Sequence, residues 1–358
     1  LIVGGGPAGS TTARFLHDAG WNVLVIDRAQ FPRDKVCAGW VTPHVFRQLE
    51  LDPDEYRSTG LTIPTITGFR TSVFSDPASI ETRYPHPISY AIRRCEFDDF
   101  LLNRSGAMVM TGTPLTSMER RGEGWIVNGA FEARVVIGAG GHFCPVARQL
   151  RGQHDAARPV VAKEAEFVLD DNDDDDDSDV DGHTPELFFC RDLEGYAWCV
   201  RKGRHLNIGI GRRDSGDLNQ HVEHFVDFLE RTGRARRASQ VRWHGHAYLA
   251  SGTGPRPLVG DGLLCVGDAA GLAYPESGEG IRPAVESGRL AAETLIAAGG
   301  QTTRDAVAAY EAELRRRYPP SSSTPAALQG IVTALGRRLM RSRTFTRRVV
   351  IERWFLRR

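Results

Sequence analysis

Three glycines near the start of the chain have the spacing of a dinucleotide-binding loop. Gly4, Gly6 and Gly9 form a G-x-G-x-x-G pattern, with Pro7 and Ala8 inside it. In such a loop the first glycine makes the turn, the second lets a pyrophosphate approach the backbone, and the third lets helix and strand pack closely. The helix that follows offers oriented N–H groups to the anion. The loop therefore predicts a nucleotide cofactor.

An acidic residue stands where this kind of loop needs one. The stretch "WNVLVIDR" reads as the second strand of a βαβ unit, and it ends at Asp27 and Arg28 after a helix that ends near Gly20. A carboxylate at this strand end is placed to bind the ribose hydroxyls of the cofactor. We assign Asp27 and Arg28 to cofactor binding, although the loop alone leaves NAD and FAD open.

A second glycine-rich stretch, "GDAAGLAYPESGEGIRPAVESG", begins at Gly267 and distinguishes these two cofactors. An apolar strand delivers Asp268 to a strand end, where its carboxylate can accept hydrogen bonds from hydroxyls. Gly278, Gly280 and Ile281 present backbone N–H groups at the head of a helix. Reduction of a flavin places negative charge where such donors stabilise it, and NAD has no counterpart group. We predict FAD, bound non-covalently because no histidine or cysteine stands where a covalent link would be needed.

These loops require a parallel sheet with helices around it, so we predict an α/β fold with a Rossmann-like, discontinuous FAD-binding domain. From about residue 160 short alternating strands replace this pattern, which predicts an inserted antiparallel-sheet substrate domain followed by C-terminal helices. The predicted boundaries are 1–60, 91–159 and 249–300 for the FAD-binding domain, 61–90 and 160–248 for the substrate domain, and 301–358 for the C-terminal helical segment.

Composition excludes other classes of protein. The 358 residues carry a formal net charge of +0, whereas nucleic-acid binders normally have a basic excess, so we expect no nucleic-acid partner. The six cysteines form no C-x-x-C pair and no cluster with histidine, which favours a reducing cytoplasm and no metal site. His244 and His246 alternate along a predicted strand without any further ligand pattern.

Two charged segments remain. The acidic run between 170 and 179 predicts a solvated loop, because it lacks the glycine and glutamate that an EF-hand requires. The last residues, "RRVVIERWFLRR", predict a helix whose Val350, Trp354 and Phe355 form an apolar stripe between arginines. Such a stripe suits either a membrane surface or the protein's own core, and both interpretations stay open here.

The sequence resembles the FAD-dependent family of the para-hydroxybenzoate hydroxylases, and within it most closely the geranylgeranyl reductase branch. The resemblance extends to about residue 298. It rests on the two glycine-rich stretches, which the whole family shares, and on three segments that are typical of the branch. These segments are "KVCAGWVTP" (35–43), "RRCEFDDFLL" (93–102) and "GYAWCVRKGRHLNIGIG" (195–211).

The resemblance implies roles for individual residues. Arg94 or Arg93 would approach the cofactor phosphates, Asp268 the ribitol, and Gly278, Gly280 and Ile281 the isoalloxazine. Cys37, with Ala38 and Gly39, would lie near the flavin beside the substrate. Tyr196 and Trp198 would line the substrate pocket. The residues alone also allow an inert Cys37 thiol and a core position for both aromatics.

Two positions depart from the family pattern. Gly140, in "GAGGHFCPVAR", takes the place of the aspartate of an Asp-Gly pair that contacts FAD and NADPH in the hydroxylases, which leaves the electron donor open between NAD(P)H and another reductant. The tyrosine-x-tryptophan-x-phenylalanine-proline pattern of the branch continues here as Val200-Arg201 after its two aromatics.

The preferred interpretation is an FAD-dependent oxidoreductase acting on a small apolar substrate, with an isoprenoid carbon–carbon double bond as the leading candidate. One alternative is a monooxygenase of a small hydrophobic or aromatic substrate. Another is a non-catalytic electron-carrying flavoprotein. Halogenation is disfavoured, because the tryptophan-x-tryptophan-isoleucine motif of that branch is missing from the sequence.

Overall fold

A computed structural model describes residues 1–74, 76, 78–152, 159–169, 178–213, 216–251, 256–319 and 329–357. Positions 170–177 of the acidic run, for which we predict a solvated loop, lie outside the described residues. All six cysteines lie within them, and all six are free thiols.

Strands and helices alternate in the first part of the chain and separate into blocks later. The strands are β1 (Ile2–Val3), β2 (Leu24–Ile26), β3 (Trp40–Val41), β4 (Thr65–Ile66), β5 (Gly68–Val73), β6 (Ser79–Arg83), β7 (Ser89–Ala91), β8 (Met108–Met110), β9 (Met118–Arg121), β10 (Gly124–Val127), β11 (Phe131–Ala133), β12 (Val136–Gly138), β13 (Val160–Val168), β14 (Glu186–Phe189), β15 (Gly195–Lys202), β16 (His205–Arg212), β17 (His244–Tyr248), β18 (Val259–Gly260) and β19 (Leu263–Cys265). The α-helices are α1 (Pro7–Asp18), α2 (Pro43–Gln48), α3 (Pro53–Ser58), α4 (Arg94–Asn103), α5 (Pro145–Arg151), α6 (Leu218–Arg231), α7 (Ile281–Ala297), α8 (Ala308–Arg317), α9 (Gln329–Leu339) and α10 (Arg343–Phe345). A short 3₁₀ helix covers Gly267–Ala269, and a π-helix covers Thr346–Phe355.

A six-stranded sheet carries both glycine-rich loops. Its strand order is β18-β19-β12-β1-β2-β8, and all pairs are parallel except β18 with β19. The central strands are apolar throughout because helices cover the sheet, and all three residues of β12 and of β19 are buried. Parallel strands end at the same edge, so the loops after β1 and β19 meet there.

Helices α1 and α7 pack against each other beside this sheet. The Thr12 hydroxyl donates to the carbonyl of Gly288 at 3.0 Å. Gly288 allows this approach because a Cβ at that position would lie 3.0 Å from the Thr12 oxygen and even closer to the Ala8 carbonyl. The contact joins the helix after the first glycine loop to the helix after the second.

A seven-stranded sheet forms the other layer, in the order β17-β13-β16-β15-β14-β5-β6. Every pair is antiparallel except β14 with β5. Helix α6 covers one face through buried Val222, Phe225 and Leu229, which recur at helical spacing. The predicted α/β class with a Rossmann-like core and a separate antiparallel sheet is confirmed, whereas the domain boundaries stay a prediction.

The end of the chain packs on the seven-stranded sheet. Val350 and Phe355 are fully buried in a cluster with Phe69, Phe189 and Trp198. The apolar stripe of the last helix therefore faces the protein's own core, which was the second of the two interpretations, and it is not available to a membrane. Among the described residues, the helices are all too short or too polar to cross a bilayer.

Candidate functional site

A large cavity of about 950 Å³ runs between the two sheets and joins the two glycine-rich loops. It extends from Asp27 at one end, past Arg94 and Asp268, to the first residues of α7 and the aromatic side chains of β15. Most of the predicted site residues line it. They are Gly4, Gly6, Pro7, Ala8, Asp27, Arg28, Cys37, Ala38, Gly39, Arg94, Gly140, Tyr196, Trp198, Asp268, Gly278, Gly280 and Ile281.

Two of the predicted residues support this cavity without lining it. Gly9 packs against the backbone of Gly4, where any Cβ would collide with the Gly4 carbonyl. Gly267 has a φ of +60° and donates its N–H to the Ser287 hydroxyl at 2.9 Å. Gly9 and Gly267 are therefore turn and packing positions. The cofactor contacts of the predicted site residues stay a prediction.

The first glycine loop has the geometry of an anion cradle. Gly4 has a φ of +114°, which favours glycine, and Gly6 precedes the first residue of α1. Asp27 is buried and accepts hydrogen bonds from the N–H of Gly5 at 2.7 Å and of Ala29 at 2.8 Å. The acid thus fixes the loop, while each oxygen keeps a lone pair for a further donor.

A buried ion pair stands beside this cradle. Arg94 donates two hydrogen bonds to Asp98, at 2.7 and 2.8 Å, and Arg33 lies 3.2 Å from the same carboxylate. Arg93 instead pairs with Glu96 and Glu166 and lies outside the cavity. Of the two arginines considered for the cofactor phosphates, Arg94 is therefore the one that lines the cavity.

A titratable trio at the middle of the cavity is visible only in the structure. The Lys35 Nζ lies 2.5 Å from His246 Nε2, and His246 Nε2 lies 3.8 Å from Asp268. Burial lowers the pKa of Lys35 to about 8, against the opposing charge of Asp268. Burial alone would raise the pKa of Asp268, but His246 and Lys35 hold it below its usual value.

The sequence offered one weak signal for this trio. His246 and Tyr248 alternate along β17, so they share one face of the strand, and that face lines the cavity. Nothing local connects them to Lys35, which follows β2 in the chain. The alternation could have suggested a cavity wall, but it could not have suggested the partner.

The far end of the cavity combines a helix N-terminus with a carboxyl group. Helix α7 begins after Gly280, which has no side chain to cap its first N–H groups. Neither carboxyl oxygen of buried Glu279 has a hydrogen-bond partner of normal geometry among the described residues. Burial raises the pKa of Glu279 to about 7, although Arg282 and Arg357 oppose this increase.

These features fit FAD. The cradle at Gly4 and Gly6 leaves room for phosphates, and Asp27 lines the cavity where we predict the adenosine. The start of α7 offers N–H groups to the acceptor atoms of the flavin ring. The carboxyl group of Glu279 is an acceptor without a donor, which suits the N–H of the same ring. Gly4, Gly6, Asp27, Arg94, Asp268 and the Gly278–Ile281 turn would hold the cofactor, which supplies hydride chemistry when it is bound.

Beyond this end the cavity becomes apolar. Tyr196 and Trp198 lie on one face of β15 with ring centroids 6.0 Å apart, and both line the cavity. The aromatics are therefore pocket-lining and core residues at once. Cys37 faces the same space and is half-buried. Other apolar side chains that line the cavity include Phe189, Leu193, Met340, Phe345 and Trp354.

Comparisons with known proteins agree with this arrangement. Residues 1–319 match the family model described as FAD binding domain. The digeranylgeranylglycerophospholipid reductase 1 of Methanothermobacter thermautotrophicus is 29% identical over 331 residues, which cover 87% of this chain and 80% of that protein. The menaquinone reductase of Mycobacterium tuberculosis is 28% identical, over 93% of this chain and 83% of that protein.

A solved structure shares the fold. The geranylgeranyl bacteriochlorophyll reductase-like protein of Thermoplasma acidophilum superposes with a TM-score of 0.73 at 20% identity, covering 98% of this chain and 90% of the other. At this identity the match concerns the arrangement of the sheets and helices. The arrangement of the sheets and helices therefore belongs to a known architecture.

Proposed function

The chain belongs to the FAD binding domain family and is an FAD-dependent oxidoreductase acting on an apolar substrate, and from this premise we propose that it reduces carbon–carbon double bonds of an isoprenoid lipid. The observation that carries the proposal is the apolar chamber lined by Tyr196, Trp198 and Met340, which continues directly from the start of α7. The names of the two relatives support it, since geranylgeranyl groups and menaquinone both contain prenyl chains.

The residues of the chamber suit such a substrate. A prenyl chain offers no hydrogen bonds, so its binding energy must come from burial against apolar side chains. The polar groups of the two aromatic side chains already have partners, since the Tyr196 hydroxyl donates to the carbonyl of Ser277 and the Trp198 indole N–H donates to Asn207. The aromatic wall is thus presented to the chamber as an apolar surface. Cys37 stands where the chamber meets the predicted flavin end.

The reductase can be tested without a physiological electron donor. We expect that chemically reduced enzyme under nitrogen is reoxidised by a geranylgeranyl lipid, and that the lipid gains two hydrogens, because hydride transfer needs no oxygen. Flavin absorbance and product mass report the two events. Cys37→Ala should slow reoxidation about tenfold if the thiol lies beside the substrate, while FAD content stays unchanged.

The matched control is Cys95→Ala, since Cys95 is the other half-buried cysteine and does not line the cavity. Fast NADPH oxidation coupled to oxygen uptake, with a product heavier by one oxygen atom, would replace the reductase with the monooxygenase alternative. A reduced flavin that neither the lipid nor oxygen reoxidises at a useful rate would indicate the electron-carrying alternative.

We further propose that NADPH is a poor direct donor. Gly140 lines the cavity where the hydroxylases carry an aspartate, and a Cβ there would lie 3.4 Å or more from its neighbours. A side chain would therefore fit, so sterics do not require this glycine.

Contact with a membrane surface is proposed through α9 of the C-terminal segment, since the apolar face of the π-helix is buried. Ile331, Leu335 and Leu339 recur at helical spacing and are 67%, 56% and 36% exposed. Arg337 and Arg338 are exposed beside them. Gly336 and Met340, at the same turn, line the cavity. An apolar stripe flanked by arginines next to the cavity suits an anionic bilayer that holds the lipid substrate.

We expect an Ile331→Ser/Leu335→Ser double variant to lose most of its sedimentation with vesicles containing an anionic lipid. Each replaced side chain removes about 1–2 kcal/mol of burial in the bilayer interface. The matched control is Met108→Ser, because Met108 is 66% exposed on β8, in the other sheet. Equal sedimentation of the parent, the double variant and Met108→Ser would contradict membrane contact through α9. A parent dimer that is lost in the double variant would assign the apolar stripe of α9 to contact with a second copy of the chain.

A further inference from the structure

Asn207 lies at the centre of a buried polar cluster behind the cavity wall. It stands on β16 and is 1% exposed. Its Oδ1 accepts a hydrogen bond from the indole N–H of Trp198 at 2.7 Å. Its amide nitrogen donates to the carbonyl of Cys37 at 3.3 Å, and to Glu164 at 3.4 Å and Glu166 at 3.2 Å. One side chain therefore touches both Cys37 and Trp198.

The other members of this cluster fix the same loop. The Cys37 N–H donates to Glu164 at 2.5 Å, and Lys202 donates to Glu166 at 2.7 Å. Lys202 is 1% exposed, and its ammonium lies directly beneath Gly39, where a Cβ would be 2.5 Å from Nζ. The segment Cys37–Gly39 thus rests on buried charged groups in addition to the apolar contacts of Cys37 and Ala38.

The chemistry of the Asn207 contacts explains why an amide is needed. The indole N–H of Trp198 can only donate, so it fixes which end of the Asn207 amide is the oxygen. The opposite end must then donate to a carbonyl and to two carboxylates. Aspartate could not donate when ionised and would place a third acid in the cluster, while leucine could neither donate nor accept.

We propose that Asn207 is a positioning residue that holds the Cys37 backbone and the Trp198 indole in fixed relation on the cavity wall. The inference rests on the proposed function, since both groups line the chamber assigned to the substrate. Asn207 itself lies behind the wall and is not among its lining residues. It therefore contributes to the reaction by placing the Cys37 backbone and the Trp198 indole.

Charge in the cluster supports this arrangement. Burial raises the pKa of Glu164 to about 7, although the charge of Lys202 opposes the increase. In Glu166 the contacts with Lys202 and Arg93 outweigh burial and lower the pKa. The neutral amide of Asn207 thus contacts two carboxylates whose pKa values shift in opposite directions, and replacing it by an acid disturbs both.

The test measures Cys37 directly in apoprotein carrying Cys95→Ala, which removes the other half-buried thiol. We expect Asn207→Leu and Asn207→Asp to raise the rate of Cys37 alkylation by about tenfold, because the loop loses its contact with Trp198. Trp198→Phe keeps a ring but removes the indole donor, and we expect it to raise the same rate about threefold. This effect on Cys37 is specific to a link through Asn207.

The control is Ile208→Ala, at the next position of β16, where the side chain is fully buried in the opposite core. It should lower stability without changing the alkylation rate. In reduced holoenzyme we expect kcat of the Asn207 variants to fall about tenfold with a smaller change in KM. Displacement of Cys37 and Trp198 should weaken stabilisation of the transition state more than it weakens substrate binding.

An alkylation rate in Asn207→Leu and Trp198→Phe equal to that of the Ile208→Ala control would overturn the proposal. If Asn207→Leu fails to fold, the Trp198→Phe result decides it. Alkylation does not depend on any substrate, so a failure of lipid reduction in the parent protein would count against the proposed function alone.

Discussion

A Gly6→Val protein is expected to purify folded and colourless, with FAD affinity lowered by about 100-fold or more. Gly6 has a φ of −74°, which any residue adopts, so valine brings no backbone strain. Its Cβ would project toward the Arg33 guanidinium, 3.3 Å away, and Asp98, 3.9 Å away. That direction leads into the cradle where the pyrophosphate is predicted to approach the N-terminus of α1.

Flavin content after purification and titration of apoprotein with FAD measure the effect, while circular dichroism reports the fold. Gly182→Val is the matched control, because a Cβ at Gly182 meets no atom within 4 Å. It should bind FAD as the parent does. A yellow Gly6→Val protein with unchanged affinity would show that the phosphates do not pass this loop.

Replacing Arg94 by methionine is expected to lower the free energy of unfolding by about 3–5 kcal/mol. Asp98 is fully buried and Arg94 is 9% exposed, so the loss of the guanidinium leaves a buried carboxylate with the more distant Arg33 as its remaining cation. The cost arises from the uncompensated charge of Asp98 rather than from the lost attraction itself. The effect should appear in apoprotein, before any cofactor binds.

Urea unfolding of apoprotein provides the measurement. An Arg94→Met/Asp98→Leu double variant should recover most of the stability, because both charges are gone. Arg316→Met is the surface control, since Arg316 is 72% exposed in its pair with Glu313, and it should leave the stability close to that of the parent. If the double variant is as unstable as Arg94→Met, the buried charge is not the cause.

The double variant also separates stability from cofactor binding. It should fold and still bind FAD more weakly than the parent, because Arg94 lines the cavity beside the phosphate cradle. Parent-like affinity in the folded double variant would remove Arg94 from the predicted cofactor contacts and leave Arg33 as the nearer candidate.

Local sequence was sufficient for the cofactor and the fold class, because the signals involved are short. The spacing of Gly4, Gly6 and Gly9 reflects a turn, a close approach and a helix contact within a few residues. The apolar strands β12 and β19 reveal burial on both faces through their composition alone. The start of α7 at Ile281 was likewise predicted from the glycines before it.

The C-terminal segment shows where local patterns stop being sufficient. Two helices of this segment are amphipathic, one with an apolar stripe of Val350 and Phe355 and the other with a stripe of Ile331 and Leu335. Periodicity does not indicate which stripe packs against the rest of the protein. The fold buries the first against Phe189 and leaves the second exposed. That choice depends on the space left beside the seven-stranded sheet, which no segment encodes by itself.

The sequence by itself determined the α/β fold and the FAD cofactor through two glycine-rich loops, since each loop encodes its own backbone geometry, and its resemblance to a flavoprotein family implied the oxidoreductase activity. Tertiary structure alone decided how Lys35 meets His246 and Asp268, and how Asn207 reaches Cys37, which is 170 residues away in the chain. A hydrogen bond between distant positions imposes no spacing and no periodicity on the residues that make it. Such partners become visible only when the two sheets are brought together around the cavity.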